Sequence, residues 1–493
     1  MKTQRKHALR AMAVLALAAL VPLAGCVNQK KEVLKYRKVL HSHPVAVPQV
    51  PAILTLANAM RLANNQDEQL ASAGENYLQA IIAKDRAFST FMPHIGLGAQ
   101  DFQMRRFSTP PGAGPISQFF QTHYFNVPLA TTLDVNILRD ATGIKAADIT
   151  TDQQKALLLD MQSNLLLEVA QTYYQVLSDQ RSAAVLTRSL AVQNARVASV
   201  SREEKAGVAL RLTVLQSQAD AANTQVQLTN ARDRVIKGRA TLAFLIGVPN
   251  LNHARLINNF SPHSPTPPEN ALEQIALHDR QDLRSADFAV LAAQAKVQAA
   301  YQEYFPSISV NMNTFLYKQQ FPSDSWWSAM FSANFPIFEG GMIYQDIRTA
   351  WSQLRQAALA DQRLRRQIHE QLITAYEDWQ NDITLIRNLH TEYIAANAAY
   401  LQAQHSFKAG LATNLDVITA QDSALQSQLA WQTQLYQERL ALLNLLRVSG
   451  RLTWPTIALL AKEPLPKNMH APKPAVQKAA QAPLAPPNAV AVR

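Results

Sequence analysis

The chain has 493 residues but only 14 glycines, under half the usual share of roughly 7%, so a turn-rich α/β enzyme with phosphate loops is disfavoured. Hydrophobic residues make up 48% and charged ones 17%, a composition that suits long helices with polar, weakly charged faces. The net charge is +11, of which Lys2, Arg5, Lys6 and Arg10 leave about +7 for the rest, and there is one cysteine; such diffuse charge argues against nucleic acid as a partner, and intramolecular disulfides and thiolate zinc sites are excluded.

Residues 1–10 are basic and residues 11–25, AMAVLALAALVPLAG, are apolar. That pattern predicts a secretory signal, shorter than the roughly 20 apolar residues of a spanning helix. Leu23-Ala24-Gly25-Cys26 resembles a bacterial lipobox. In that resemblance the chain is cleaved after Gly25, the Cys26 thiol receives a diacylglycerol and the new amine is acylated. The alternative is an ordinary signal with an incidental cysteine. Two or more acyl chains hold a protein firmly on a bilayer. Val27 follows Cys26, and by the bacterial sorting pattern this points to the outer membrane. No other 18-residue apolar run predicts a spanning helix.

Residues 26–50 read as a polar, proline-containing leader from the lipid site. Beyond it the chain is written twice, the first thing to look for in any sequence. Val169, Val176, Ala183, Leu190 and Val197 recur every seven residues; Leu372, Trp379, Ile386, Tyr393 and Tyr400 repeat the series 203 positions later. The same offset carries Lys205-Ala206-Gly207 onto Lys408-Ala409-Gly410, Val214 onto Val417, Gln218 onto Gln421 and Gly247 onto Gly450. Upstream, Phe91-Met92-Pro93-His94-Ile95 pairs with Tyr304-Phe305-Pro306-Ser307-Ile308, and Val127-Pro128-Leu129 with Phe335-Pro336-Ile337.

Each half therefore predicts a helix, a strand, a loop, a second strand and a long helical pair, with Pro93, Pro128, Pro306 and Pro336 at strand boundaries. The first repeat spans 51–250, with two strands about 94–127 and a helical pair about 130–247. A proline-rich linker covers 251–268. The second repeat spans 269–450, with two strands about 307–335 and a helical pair about 342–450. Residues 451–493 form a C-terminal segment, rich in Pro and Ala and expected to be disordered from about 464.

The strand pattern is clearest in the second half. Ile308, Val310, Met312 and Leu316 alternate with Ser307, Ser309, Asn311 and Asn313; Trp327, Ala329, Phe331, Ala333 and Phe335 alternate with Ser328, Met330, Ser332 and Asn334. Period-two patterning over about ten residues is what a tilted membrane strand needs. In the first half Asp101 and Arg105-Arg106 interrupt the pattern. Loops Ser108–Ile116 and Gln319–Ser325 hold Pro, Gly and Ser, as hairpin tips do. A soluble β-hairpin on a helical protein is the plainer alternative.

Four membrane strands per chain cannot leave their edges in lipid, and about eight strands make the smallest filled barrel. The chain must borrow strands from copies of itself, and three copies give twelve. The helical pattern runs unbroken from about Asp152 to Glu204 and from about Met342 to Phe407. At about 1.5 Å per residue the longer run is a rod near 100 Å, and sustained heptads ask for helical neighbours along it. The fold class is thus mainly α with a membrane β part: duplicated antiparallel helical hairpins plus four strands per chain, forming a trimeric twelve-stranded barrel on an α-helical tube.

At this point the residues resemble a known family, the TolC-like outer-membrane factors (outer membrane efflux proteins), with the lipobox suggesting the lipoprotein branch. The matching pieces span about 51–450 and include Arg280-Gln281-Asp282-Leu283-Arg284, Tyr304-Phe305-Pro306, Phe335-Pro336-Ile337-Phe338-Glu339-Gly340-Gly341, and Lys408-Ala409-Gly410 followed by Leu415-Asp416-Val417 and Ala420-Gln421. The family usually has Pro where Gln281 stands. The resemblance implies a homotrimer whose barrel sits among outer-membrane lipid and whose tube crosses the periplasm. It also implies docking to a periplasmic membrane-fusion adaptor and an inner-membrane pump of RND, MFS or ABC type.

Family members narrow their periplasmic mouth with acidic or polar rings just after the second-half turn. Asp416 stands where the family has one such Asp, and Leu415 matches a hydrophobic constriction in some members. Thr419 stands where a second Asp is common and Asp422 where Arg is common. The first-half counterparts Leu212, Thr213, Gln216 and Ala219 carry no charge. Three Asp416 carboxylates near an axis would attract cations. Alternatively Asp416 caps the returning helix. Gly207 and Gly410 are then the periplasmic tip turns.

Catalytic chemistry is not expected. His369-Glu370 begins like a zinc-protease helix, but Ile373 replaces the second histidine. His41-Ser42-His43 lies in the leader, and Gly112-Ala113-Gly114 lacks a phosphate-loop continuation. There is no Gly-x-Ser-x-Gly elbow. The sequence predicts no enzyme, cofactor or metal, and a passive duct driven by partners; the alternative is a structural periplasmic coiled-coil lipoprotein without a pore.

Overall fold

A computed structural model describes residues 27–43, 50–104, 123–258, 268–320 and 324–453. The expected signal, Cys26, the tip of the first strand loop and the C-terminal segment from 454 lie outside the described residues. So do Pro262–Pro267 of the linker.

The leader is not merely an irregular tether. Residues Gln29–Leu40 form helix α1, capped where Asn28 accepts the Lys31 N–H. Its apolar side is buried: the Tyr36 ring lies over Gly74, where an added Cβ would stand 2.3 Å from it. The Leu40 carbonyl accepts from the side-chain amides of Asn64 and Gln162, both at 3.0 Å. Val33, Tyr36 and Leu40 supply the apolar face that the polar composition of the leader conceals.

Strand β1 (Ile53–Leu54) pairs in parallel with β5 (Arg255–Leu256), so the first residues of the expected linker are built into the fold. The buried Tyr173 hydroxyl lies 2.7 Å from the Leu54 carbonyl and 2.8 Å from that of Ile257, tying both strands to a long helix. Helices α2 (Leu56–Gln66) and α3 (Glu68–Ser89) follow β1. Strands β2 (His94–Leu97) and β3 (Gln100–Gln103) both pair with β4 (His123–Val135), so they are one interrupted strand.

Helix α4 runs Ile137–Lys205, 69 residues, about 100 Å at roughly 1.5 Å per residue. It starts earlier than the heptads suggested because β4 feeds it directly. Asn136 caps it, accepting the Arg139 N–H. Helix α5 is Arg211–Leu245. The second half has α6 (Glu269–Asp279), α7 (Gln281–Gln302), β6 (Ser307–Lys318), β7 (Trp327–Asn334), α8 (Met342–Lys408) and α9 (Asn414–Val448). Helix ends at 205, 211 and 245 recur at 408, 414 and 448, each 203 residues later.

The return helices α5 and α9 have 35 residues each, about half of α4 and α8. Toward the strands their place is taken by α3 and α7, of 22 residues each. Four helices therefore stand side by side at both levels. The main core lies where these pieces meet and includes Leu54, Met60, Leu70, Leu166, Val169, Tyr173, Tyr174 and Leu242.

The sheet order is β2/β3–β4–β6–β7, antiparallel throughout. Its register brings the apolar positions onto one face: Ile308 opposite Ala333, Val310 opposite Phe331, Met312 opposite Ala329 and Leu133 opposite Val310. Pro93 and Pro306 directly precede strands and Pro336 follows one. Pro128 does not bound a strand: it sits inside β4, where the register shifts between Val127 and Pro128. A bulge tolerates the missing N–H. The same bulge puts Leu316 outside the simple alternation with Met312. Among the described residues no helix is long and apolar enough to cross a membrane.

Candidate functional site

The end of the rods farthest from the sheet is formed by two matching turns. Gly207 and Gly410 adopt φ of 77° and 75°, a left-handed backbone that only glycine takes without cost. The Val208 N–H reaches back to the Glu203 carbonyl at 2.9 Å, and the Leu411 N–H to that of Ser406 at 2.8 Å. This helix-stopping arrangement satisfies the last carbonyls of each rod. Beyond the glycines the turns are apolar and exposed: Val208, Leu210 and Leu212 on the first, Leu411 and Leu415 on the second.

Helix α9 begins with a reciprocal cap. The Asp416 N–H donates to Thr413 Oγ1 at 3.2 Å, while the Thr413 N–H and hydroxyl donate to Asp416 Oδ2 at 2.8 and 2.7 Å. These bonds hold the Asp416 carboxyl below its ordinary range. Both end on Oδ2, so the cap uses one carboxylate oxygen. Helix α5 has no such device, since Leu210 stands at its cap.

Leu415, Asp416 and Thr419 are exposed and, at positions i, i+1 and i+4, share one side of α9. Asn414, Val417, Ile418 and Gln421 are buried, and Asn414 and Gln421 bond to the first hairpin. The Asn414 side chain donates to Ser217 Oγ at 3.1 Å, joining the two hairpins.

Asp422 does not join the exposed set. It is half-buried and meets Asp220 of α5, a residue that sequence comparison passed over. The 203-residue offset aligns Asp422 with Ala219 and Asp220 with Ser423, so neither carboxyl has an acidic counterpart. A signal was present: Asp220 adjoins Ala221 in the apolar stripe Val214, Ala221, Leu228. Burial, then the negative charge of Asp422 and a hydrogen bond to it, push the Asp220 carboxyl up to about 6, against the pull of Arg196. Burial also raises Asp422, opposed by the hydrogen bond from Asp220 and by Arg196. Arg196 of α4 also donates to Gln421 Oε1 and approaches the Tyr400 hydroxyl at 3.5 Å.

The other motif residues have structural places. Arg280 is buried, pairs with Asp282 at 2.6 Å, and donates to Gln371 and to the Val448 carbonyl. His369 contacts Glu273 at 2.9 Å, and the His43 N–H donates to Asn65. Among the described residues no group of three or more His, Cys, Asp or Glu could hold a metal ion.

Two duplicated hairpins about 100 Å long, topped by a four-stranded amphipathic sheet, define a class: subunits of outer-membrane channels. Residues 272–451 match the family model for outer membrane efflux proteins. Outer membrane efflux protein BepC of Brucella suis is 23% identical over 332 residues, 66% of this chain and 72% of the relative. Pyoverdine export outer membrane protein OpmQ of Pseudomonas aeruginosa is 25% identical over 409 residues, 78% of this chain and 82% of the relative. The solved structure of outer membrane protein VceC from Vibrio cholerae has the same fold, with a TM-score of 0.70 over 80% of this chain and 96% of that one, at 19% identity. The family resemblance read from the sequence holds, and the chain is an outer-membrane protein of efflux-channel type.

Proposed function

We propose that three copies form a passive duct that carries small, drug-like or toxic compounds from a periplasmic adaptor and an inner-membrane pump to the exterior. The observation that carries this reading is the sheet. Among the described residues β2 and β3 pair only with β4, and β7 only with β6. Its two outer edges are therefore open, and its apolar face exposes Ile95, Ile308, Met312, Trp327 and Phe331. Lipid cannot satisfy open edges. Three such sheets joined edge to edge close a twelve-stranded barrel and leave the polar face, with Ser309, Asn311 and Ser332, toward a lumen.

The apolar turns at the far end offer the adaptor a hydrophobic rim. Leu415, Asp416 and Thr419 line the mouth inside it, with Asp416 serving as both cap and ring, because Oδ1 is left outside the cap. Cys26 is the lipid-bearing residue that adds an anchor beside the barrel. The pump supplies the energy.

Purified protein in detergent should have about three times the mature chain mass and should conduct in a planar bilayer. A stable, conducting monomer, or a trimer that never conducts, contradicts the duct. Asp416→Asn keeps a cap acceptor and removes the charge. It should weaken block by divalent cations from the turn side severalfold, with unchanged helicity; unchanged block assigns Asp416 to capping alone. Cys26→Ser should abolish palmitate incorporation.

A further inference from the structure

We infer that the first turn of helix α1 binds anionic phospholipid headgroups, through Lys30 and Lys31, in the leaflet at the helix-bearing end of the sheet. The inference rests on the duct reading only in placing the sheet in a bilayer, and it assigns the lipid chemistry at that end.

Helix α1 stands upright against α3. The His43 N–H donates to Asn65, the Leu40 carbonyl accepts from Asn64, and the Tyr36 ring lies over Gly74. Going back along α1 therefore goes forward along α3, which runs from Glu68 to Ser89 and leads into β2. The two helices are antiparallel, and the first turn of α1 points at the sheet.

The bilayer boundary at that end is marked by exposed apolar side chains. They are Phe88 and Met92 before β2, Tyr304 and Phe305 before β6, and Ile337 and Phe338 after β7. The register brings these three places to one end of the sheet: His94 is opposite Thr132, Val135 opposite Ile308, and Ser307 opposite Asn334. Aromatic residues collect where a membrane meets water. Phe88 lies about 21 Å past Gly74 along α3, and Lys30 about 9 Å before Tyr36 along α1, at about 1.5 Å per residue. The Lys30 backbone thus stands about 12 Å short of the Phe88 level. The screening length is about 8–10 Å, and the four-carbon stem of a lysine narrows the gap.

The side of α1 left outward is cationic. Its apolar side cannot enter lipid, because Val33, Tyr36 and Leu40 pack on the main core. Lys30, Lys31, Lys35, Arg37 and Lys38 stand against one acid, Glu32, so this short helix carries +4 of the roughly +7 that follows the signal. Glu32 is taken by Lys35 at 2.7 Å. Lys30, Lys31 and Lys38 are exposed, and among the described residues they form no ion pair. Lys38 is about 12 Å farther from the boundary than Lys30. The two free ammonium groups nearest the headgroups are therefore those of Lys30 and Lys31. Basic side chains at this distance attract anionic lipid, and the attraction weakens with salt.

Electron paramagnetic resonance of spin-labelled phosphatidylglycerol and phosphatidylcholine tests the contact, with full-length protein reconstituted in phosphatidylcholine vesicles. The motionally restricted fraction of each probe gives its relative association. Phosphatidylglycerol should be preferred at least about threefold at low salt, and the preference should vanish near 1 M salt, where the screening length is about 3 Å. Lys30→Gln with Lys31→Gln should abolish the preference, and Lys30→Arg with Lys31→Arg should keep it. Lys38→Gln should keep most of it. An unchanged preference in the Gln pair overturns the contact, and so does an equal loss from Lys38→Gln. Lysine-dependent sedimentation with peptidoglycan in place of a lipid preference overturns it in favour of the cell wall. Conductance of the same vesicles separates the two readings. Conducting vesicles without a preference leave the duct standing and remove the lipid contact; a lysine-dependent preference without conductance leaves the contact and removes the duct. Protein that never enters the vesicles overturns both.

Discussion

Helices α4 and α8 hold the same position in the two repeats and differ by two residues in length, yet they are buried very differently. Helix α4 has twenty buried residues, spread from Thr142 to Val200. Helix α8 has six, and the last is Ala375. Over its remaining 33 residues toward Lys408, no side chain is buried within the chain. The heptad positions Trp379, Ile386, Tyr393 and Tyr400 are only half-covered, while Leu385, Ile394 and Leu401 are exposed. On the far side of the chain, α5 exposes Val226, Ile236 and Phe244. A lone chain thus has one completed rod and one rod waiting for a neighbour. Duplication supplied two equal hairpins, and the proposed trimer brings α8 against the next copy.

Breaking that face should have the largest effect. Ile394→Lys with Leu401→Lys should leave the folded chain intact, since both side chains are exposed, but abolish trimers in detergent. Circular dichroism should show retained helix while mass falls to that of one chain. On α4, Val200→Lys puts a charge where exposure is 1%, and should instead lower helicity and yield. If both pairs of rods respond alike, the comparison fails.

The two halves also differ where α2 meets α3 and α6 meets α7. In the first half Asp67 caps α3, accepting the Leu70 N–H at 2.6 Å. In the second, Arg280 occupies the junction and holds Asp282 with two bonds, of 2.6 and 3.0 Å. Removing one partner of a buried pair strands the other charge. Arg280→Ala should cost about 3–5 kcal/mol, and Asp67→Ala about 1 kcal/mol, by chemical denaturation in detergent. Burial pushes Asp282 up, but Arg280 outweighs it and the carboxyl is lowered overall. Its stabilisation is therefore present above about pH 4 and lost only as pH falls below that range. Melting temperature should drop as pH falls below about 4 in the unmodified chain, and less so in Arg280→Ala.

The smallest effect concerns the caps. Thr413→Ala should destabilise the start of α9 by about 1 kcal/mol. Leu210→Ala should not, because α5 has no side-chain cap to lose. Hydrogen exchange at the two helix starts measures the difference.

Much of this plan was legible because it depends on local pattern. Helices of period 3.6 and strands of period 2 announce themselves, and one offset of 203 residues exposed the duplication. The turns at Gly207 and Gly410 were legible because a left-handed backbone demands a particular residue. What was hidden depends on partners remote in sequence. Helix α1 has too few apolar residues to advertise itself, and its burial needs Gly74, Asn64 and Gln162. Pro128 reads as a boundary until the bulge with β6 is seen. Asp220 escaped because comparison by offset finds what the halves share, whereas its partner Asp422 is one residue out of register. The sequence offers Asp416 as a cap or a ring residue, and its reciprocal bonds with Thr413 are visible only in the folded chain.

The half-length of α5 and α9 has a mechanical consequence. Near the middle of the rods the run formed by α5 and α3 is interrupted, and so is that formed by α9 and α7. A Cβ on Gly247, just past α5, would stand 2.5 Å from the Gln66 side chain that precedes α3. One on Gly450, just past α9, would stand 2.8 Å from the Arg280 backbone that precedes α7. These are butt joints, and the unbroken rods α4 and α8 lie across them as splints. A twist applied at the turns is carried upward only by the splints. In the proposed duct, the tier at the turns is then tied to the tier beneath the sheet through the two unbroken rods rather than through the joints.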